Sequence, residues 1–237
     1  MVRVTRYADA MGSLYLVRHG QAHASAYGAA DHIDDGPISG GLTATGQMQA
    51  QVTGTVLSGL IPRFTTAVSG GLARQQQTLA GVLDAFAERP DASIDEGWDE
   101  YDLAGLMGAP TTAQLADGRS FQQSLDAVLG AWVRGEVAES AAESFDAYAR
   151  RVARAGQRAV ESAGSGRNVL VVSSAGSITL WLAQQLGVPA QHWPQLAASM
   201  MNASITRVIV GRQGVTVLSV NEHLHLSDRD GGITTFR

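Results

Sequence analysis

The sequence predicts an α/β protein, a three-layer αβα sandwich with a mostly parallel central sheet and a helical insertion. Short apolar runs that suit buried strands alternate along the chain with longer segments of helical periodicity. Several of these runs are almost continuously apolar, as in parallel strands covered on both faces. The stretch from about Thr111 to Ala163 looks entirely helical, so an insertion is expected between two of the strands.

The first half of the chain contains two strand and helix pairs. The run 13–17 ("SLYLV") predicts a buried strand, and a polar, glycine-rich loop follows it. The segment Leu42–Leu60 has helical periodicity, with Thr43 as a plausible N-cap. A second strand is expected over 65–70 ("TTAVSG"), and a second helix runs from about Leu72 to Glu88.

The second half returns to the sheet after the helical stretch. A short strand is expected near Ile94, followed by an acidic, aromatic segment. The run Asn168–Ser173 predicts the fourth strand, and the helix after it ends near Leu186. The alternating segments 203–211 and 214–220 predict two strands joined by a turn.

The length of the chain, 237 residues, favours a single domain over two. We expect residues 1–12 to form an N-terminal tail and residues 13–237 to form one domain, with the helical insertion at about 103–163. The tail lacks the apolar segment of a secretory signal.

Composition disfavours several classes of partner. No run of about 18 apolar residues occurs, so no membrane association is expected. The absence of cysteine excludes disulfides and cysteine-ligated metals and fits a cytoplasmic protein. The net charge of -5 disfavours nucleic-acid binding, while the oligomeric state stays open. Without a metal-ligand cluster or a nucleotide-binding glycine loop, we predict chemistry that needs no metal and no cofactor.

Cationic and polar side chains follow three predicted strands at their carboxyl ends, where open α/β sheets bind ligands. Arg18 and His19 follow the first strand, and Arg74 lies one turn into the helix after the second. Ser174 follows the fourth strand at a helix N-terminus, whose free N–H groups favour an anion. Because guanidinium groups bind phosphate oxygens in bidentate fashion, this edge suits a phosphorylated ligand.

Four short motifs occur in order along the chain. They are Leu16-Val17-Arg18-His19-Gly20, then Leu42-Thr43 with Gly46 and Gln49-Ala50, then Ser69, Leu72, Arg74, Gln77 and Thr78, and finally "NASITRVIV" followed by "VNEHLHL". Together they resemble the histidine phosphatase superfamily, which has the phosphoglycerate mutase-like fold. The resemblance extends from about Leu14 to Leu226.

The resemblance implies a hydrolase that acts on a small phosphorylated metabolite. In that reading His19 attacks phosphorus and becomes a phosphohistidine, while Arg18 and Arg74 hold the phosphoryl oxygens. A carboxylic acid then protonates the leaving oxygen, and water completes the hydrolysis.

Two glutamates are candidates for this acid. Family members carry Leu-x-Glu after the third strand, and the triplets that end at Glu96 and Glu100 both fit this pattern loosely. The distance from Arg74 and the adjoining pair Tyr101-Asp102 favour Glu100.

The chain departs from the family at the fourth strand. Most members have Ser-His-Gly-Gly there, whereas this chain has Ser173-Ser174-Ala175-Gly176, as in a less typical bacterial branch. Ser174 therefore replaces a second catalytic histidine, and we expect it to bind phosphate. Losing one preorganised donor typically costs about 10²–10³ in rate, so a weakly active or inactive phosphate-binding homologue is an alternative. The intact set of Arg18, His19 and Arg74 favours an enzyme.

Two further alternatives are disfavoured. A serine hydrolase would use Ser174 as a nucleophile, but Val172 stands where a nucleophile elbow favours glycine. A phosphoglycerate mutase would carry a recognition segment rich in Asn, Phe and Trp after Gly20, and this chain lacks it.

The remaining histidines have no predicted role in chemistry. His23, His32 and His192 lack partners at metal-ligand spacing. The resemblance gives His225 a structural role.

Overall fold

The computed structural model describes residues 11–29, 39–137, 143–227 and 232–236, except for the side chains of residues 115 and 116. The strands are β1 (Gly12–Arg18), β2 (Thr66–Ser69), β3 (Ala92–Ile94), β4 (Asn168–Ser173), β5 (Ile205–Gly211) and β6 (Gly214–Glu222). The helices are α1 (Ala44–Leu60), α2 (Ala73–Leu83), α3 (Leu103–Met107), α4 (Thr112–Ala116), α5 (Gly118–Val133), α6 (Phe145–Ser162), α7 (Ala175–Leu186) and α8 (Trp193–Ala198).

The strands form a six-stranded sheet in the order β3-β2-β4-β1-β5-β6. The neighbouring pairs from β3 to β1 are parallel, whereas β5 is antiparallel to both β1 and β6. The predicted α/β fold with a mostly parallel sheet is therefore confirmed. Since β1, β2 and β4 are parallel neighbours, their carboxyl ends meet at one edge of the sheet.

Alternating residues of the central strands bury against two separate helical layers. On β1, Leu14 and Leu16 pack with an aromatic-rich cluster that includes residues of α5, α6, α7 and α8. Tyr15 and Val17 point to the other face, where they pack with residues of α1 and α2 such as Leu57. Side chains of a strand alternate between faces, so one continuous apolar run supplies both cores.

Several local predictions agree closely with the observed elements. Thr43 caps α1, since its side-chain oxygen accepts a hydrogen bond from the backbone N–H of Gly46 at 3.1 Å. The bounds predicted for β4 coincide with those observed, and the predicted turn joins β5 to β6. No helix in the described ranges is long and apolar enough to cross a bilayer.

Three boundaries differ from the sequence prediction. The tail was expected to include residue 12, but β1 begins at Gly12. The second helix ends at Leu83, not at Glu88, because the chain turns so that Phe86 packs on Phe64 at 5.0 Å between ring centroids. The stretch 111–163 is not entirely helical. Asp117 separates α4 from α5, and α5 ends at Val133, two residues before Gly135, whose φ is positive at 71°.

The short helix α8 was absent from the sequence prediction. Its first residue, Trp193, is fully buried, and the indole N–H donates to the backbone oxygen of Gly176 at 2.9 Å. This bond ties α8 to the first turn of α7, beside the carboxyl end of β4.

Candidate active site

His19 lies immediately after β1 and is 2% exposed. Its Nδ1 donates to the backbone oxygen of Gly20 at 2.8 Å, because a carbonyl oxygen can only accept. The other ring nitrogen, Nε2, accepts from Nε of Arg74 at 3.3 Å. These two contacts select the tautomer in which Nε2 carries the lone pair.

The surroundings of His19 keep the ring uncharged. Burial, then the positive charges of Arg74 and Arg18, hold the pKa of His19 well below its usual value. The Gly20 carbonyl opposes this shift only in part. A neutral imidazole retains the lone pair that a nucleophile needs.

Close backbone packing fixes the turn that carries His19. A Cβ on Gly20 would lie 2.5 Å from the backbone oxygen of Gly46, so only glycine fits there. A Cβ on Gly46 would in turn clash with the backbone of Gln21. On the other side, the amide groups of Asn202 and Ala203 donate to the carbonyl oxygen of His19 at 3.1 and 3.2 Å.

Two buried arginines flank His19. Arg18 is 5% exposed and its guanidinium donates to the backbone oxygen of Met200. Arg74 is 7% exposed, donates to the backbone oxygen of Ala26 at 3.1 Å and faces the Tyr27 ring at 5.7 Å. Both side chains line the same pocket as His19. Two buried cations beside a neutral imidazole have the charge and the donor groups that binding a dianionic oxyanion would need.

Glu100 reaches the same pocket from the segment after β3. One carboxylate oxygen accepts from the Tyr148 hydroxyl at 2.9 Å, and the other accepts from the backbone N–H of Gly176 at 2.9 Å. Burial and the Glu100 charge raise the pKa of Tyr148 well above its usual value, so its hydroxyl stays a donor. A Cβ on Gly176 would meet the Glu100 carboxylate and the Tyr101 ring, so a larger residue there would displace the acid from its observed position.

Arg151 of α6 holds the backbone of the segment that carries Glu100. Its guanidinium donates to the carbonyl oxygens of Asp99 at 2.7 Å, Gly97 at 3.2 Å and Glu100 at 3.2 Å. It also stacks over the Tyr148 ring at 4.6 Å. The sequence interpretation missed Tyr148 and Arg151, although their spacing of three residues on an amphipathic helix places them on one face.

The two candidate acids occupy different environments. Glu96 is exposed and does not contribute to the pocket that His19, Arg18 and Arg74 line. Asp99, which was not a candidate, contributes a second carboxyl group to the pocket beside that of Glu100. Burial raises the pKa of Asp99, and the hydrogen bond that the Gly71 N–H donates to its carboxylate at 2.6 Å opposes that shift.

Ser174 is fully buried at the N-terminus of α7 and is not among the residues that line the pocket. Its Oγ accepts from the side-chain amide of Gln75 at 3.0 Å, and the same amide donates to the backbone oxygen of Trp98 at 3.2 Å. Its neighbours Ala175 and Gly176 do reach the pocket surface. The structure thus brings His19, Arg18, Arg74 and Glu100 together and places the Ser174 hydroxyl behind them.

The pocket has a volume of about 570 Å³. Besides His19, Arg18, Arg74 and Glu100, the lining of the pocket includes the loop 24–28, parts of α3, α5 and α8, and Phe236. This size lies within the range of pockets that take small molecules.

The other histidines that the structure describes do not line this pocket. His225 contacts the Thr53 hydroxyl through Nε2 at 2.9 Å, linking the end of the chain to α1. His23 and His192 do not line the pocket, and His32 lies outside the described residues. Within the described part of the chain, no group of three or more His, Cys, Asp or Glu side chains could hold a metal ion.

Comparison with protein families supplies the deciding observation. The family model described as "Histidine phosphatase superfamily (branch 1)" matches residues 14–223. The chain belongs to the histidine phosphatase superfamily. A search of curated proteins found no match.

Solved structures of superfamily members have the same fold. The mycobacterial glucosyl-3-phosphoglycerate phosphatase is 24% identical with a TM-score of 0.65, covering 90% of this chain and 100% of its own. The α-ribazole phosphatase from Shigella flexneri is 23% identical with a TM-score of 0.65, covering 89% and 96%. YhfR from Bacillus stearothermophilus is 20% identical with a TM-score of 0.66, covering 90% and 98%. At these identities the likeness establishes the fold.

Proposed function

We propose that the protein hydrolyses phosphate monoesters of small metabolites through a phosphohistidine at His19. The observation that carries this proposal is the ring of His19, whose Nδ1 is held by Gly20 and whose Nε2 faces the Arg74 guanidinium. A phosphoryl group bound by Arg18 and Arg74 would lie against this lone pair.

The first step transfers the phosphoryl group to the enzyme. The lone pair of Nε2 of His19 forms a bond to phosphorus while the ester P–O bond breaks. Glu100, in its acid form, delivers a proton to the leaving oxygen, and an alcohol departs. Arg18 and Arg74 stabilise the charge on the non-bridging oxygens throughout.

The second step regenerates the enzyme. A water molecule attacks phosphorus and loses a proton to Glu100 as the N–P bond breaks. Inorganic phosphate leaves, and the bond electrons return to Nε2 of His19. Tyr148 and the Gly176 N–H keep the Glu100 carboxylate aimed into the pocket in both steps.

The structural neighbours support a phosphatase over other activities of the fold. Those named above include an α-ribazole phosphatase and a glucosyl-3-phosphoglycerate phosphatase, and a phosphoserine phosphatase from Entamoeba histolytica is also similar, at 18% identity and a TM-score of 0.64. The substrates in their names differ, so the common element is hydrolysis of a phosphate ester.

A second candidate function is phosphate-ligand binding without efficient turnover. The observation that favours it is Ser174, which stands where most members have a histidine and whose hydroxyl is bonded to Gln75. In that case the two arginines would bind the ligand and the chemistry would be slow.

Release of phosphate from 4-nitrophenyl phosphate tests the proposal. We expect turnover by the wild type and its loss in His19→Ala, because the variant has no nucleophile. The matched control is His192→Ala, since His192 is exposed and outside the pocket lining. Equal rates for wild type and His19→Ala would contradict the proposal, and ligand binding with no turnover in the wild type would favour the second candidate.

A further inference from the structure

The pocket is apolar beyond the residues that hold the phosphoryl group. Its lining there includes Leu103 of α3, three side chains of α5 (Phe121, Leu125 and Leu129), and Phe236 near the C-terminus. Three separate parts of the chain therefore present apolar surface to the same space. A substrate whose phosphate lies at His19 would extend its alcohol part into this region.

The charges of the lining are distributed unevenly. Among the described residues that line the pocket, two are arginines, Arg18 and Arg74. In the proposed function both bind the same phosphoryl group. The other charged side chains of the lining are the carboxyl groups of Asp99, Glu100 and Asp102. None of the described residues in this part of the pocket carries a positive charge that would compensate a second negative charge on the substrate.

An additional anionic group would be costly in such a pocket. Removing a carboxylate or phosphate from water without a cationic partner is unfavourable, and nearby carboxylates add repulsion. Asp102 is exposed and stays at the N-terminus of α3, where its side chain accepts from the Gly105 N–H at 2.9 Å. An apolar group, by contrast, gains free energy in proportion to the area that it buries.

We infer that the substrate is the phosphate monoester of an uncharged, mainly apolar alcohol, and that phosphorylated acids and bisphosphates are rejected. This inference rests on the proposed function, in which the phosphoryl group binds between Arg18, His19 and Arg74 and the alcohol part of the substrate lies in the apolar region. The apolar lining selects for the alcohol, and the carboxyl groups of Asp99 and Asp102 select against anions.

Binding of alkylphosphonates measures this preference without requiring turnover. Calorimetric titration of the wild type with propyl-, butyl- and hexylphosphonate should show the affinity rising by about fourfold for each added methylene. The matched acid, 6-phosphonohexanoate, should bind about tenfold or more weakly than hexylphosphonate. Affinity that does not change with chain length, or an acid that binds as tightly as hexylphosphonate, would overturn the inference.

A substitution at the rim of the pocket tests the part played by charge. Ala198 is exposed and lines the pocket, so Ala198→Arg adds a cation without disturbing the core. This variant should bind 6-phosphonohexanoate up to about fivefold more tightly than the wild type does, with little change for hexylphosphonate. Gln195→Arg is the matched control, because Gln195 is exposed on the same helix and outside the lining. An equal gain in both variants would contradict a charge effect inside the pocket.

The two proposals fail in different ways. If phosphonate affinity rises with chain length but the wild type releases no phosphate from 4-nitrophenyl phosphate, hydrolysis is refuted and the preference for apolar ligands stands. If 4-nitrophenyl phosphate is hydrolysed only when His19 is present but phosphonate affinity does not change with chain length, hydrolysis stands and the preference for apolar ligands is refuted.

Discussion

At the scale of single residues, the state of His19 depends on contacts that are distant in sequence. The Arg-His-Gly tripeptide and its position after a strand could be recognised from the sequence. That a nucleophilic histidine must be neutral, with its other ring nitrogen held by a partner, also followed from the chemistry. The identity of the partners did not, because Arg74, which contacts Nε2, lies 55 residues away along the chain. Burial and the charges of both arginines keep His19 neutral, which is the state that the proposed nucleophile requires.

The low pKa of His19 predicts a pH-dependent stability. The unfolded chain binds a proton at this histidine below about pH 6.5, whereas the folded protein does not until a much lower pH. Stability from this residue is therefore complete above about pH 6.5 and is lost as the pH falls toward the folded pKa, by at most about 1.4 kcal/mol per pH unit.

Urea unfolding at about pH 7.5 and about pH 5.5 checks this slope against the reference histidine pKa. The free energy of unfolding should fall more steeply in the wild type than in His19→Asn, which cannot titrate at this position. Other titrating groups are common to both proteins and cancel in the comparison. Equal slopes would mean that His19 titrates in the folded protein as it does in the unfolded chain, and would contradict the lowered pKa.

Ser174 allows a second prediction at this scale. Its hydroxyl accepts one of the two hydrogen bonds that the Gln75 amide donates, so Ser174→Ala leaves a buried N–H without that partner. We expect a loss of about 1–3 kcal/mol in the free energy of unfolding and less than about a tenfold change in turnover. Thermal or urea unfolding with parallel assays measures both effects.

The role of Ser174 as a phosphate ligand stays a prediction, and the same variant decides it. A direct ligand requires phosphate affinity to fall by about tenfold in Ser174→Ala, the value of one charge-assisted bond. Unchanged affinity with reduced stability would make Ser174 a support for Gln75.

At the scale of elements, α6 supports the site and does not merely cover it. Tyr148 and Arg151 lie on the face of the helix that packs against the segment after β3, and both contact that segment. Periodicity predicted the helix but not its partner, because an amphipathic pattern shows that a face is buried without showing against what.

The clamp by Arg151 predicts a specific loss of turnover. Arg151→Lys keeps the charge near Glu143 but cannot donate to several carbonyl oxygens in one plane. We expect kcat to fall by about tenfold, with a smaller change in KM, because the Glu100 carboxylate loses its fixed position. Arg154→Lys on the exposed side of α6 is the matched control. An equal effect of both substitutions would argue against a positioning role for Arg151.

At the scale of the whole molecule, the sequence predicted the fold more completely than the pocket. Near-continuous apolar runs at β1 and β4 indicated a parallel sheet buried on both faces, and the structure has that arrangement. The positions of three site residues were also predictable. The carboxyl ends of neighbouring parallel strands meet at one edge of the sheet, and such strand ends precede Arg18, His19 and Arg74. The apolar wall from α5 and Phe236 was not, because it depends on how the helical insertion folds back over the sheet.

Trapping the phosphoryl enzyme is the most direct test of a phosphohistidine at His19. The protein would be mixed with a ³²P-labelled aryl phosphate, quenched within the first turnover, and the label located by mass spectrometry of peptides kept at alkaline pH. The label should lie on His19, be labile in acid, and be absent from His19→Asn. Label on Ser174 that survives acid, or turnover at full rate with no labelled enzyme, would contradict the mechanism.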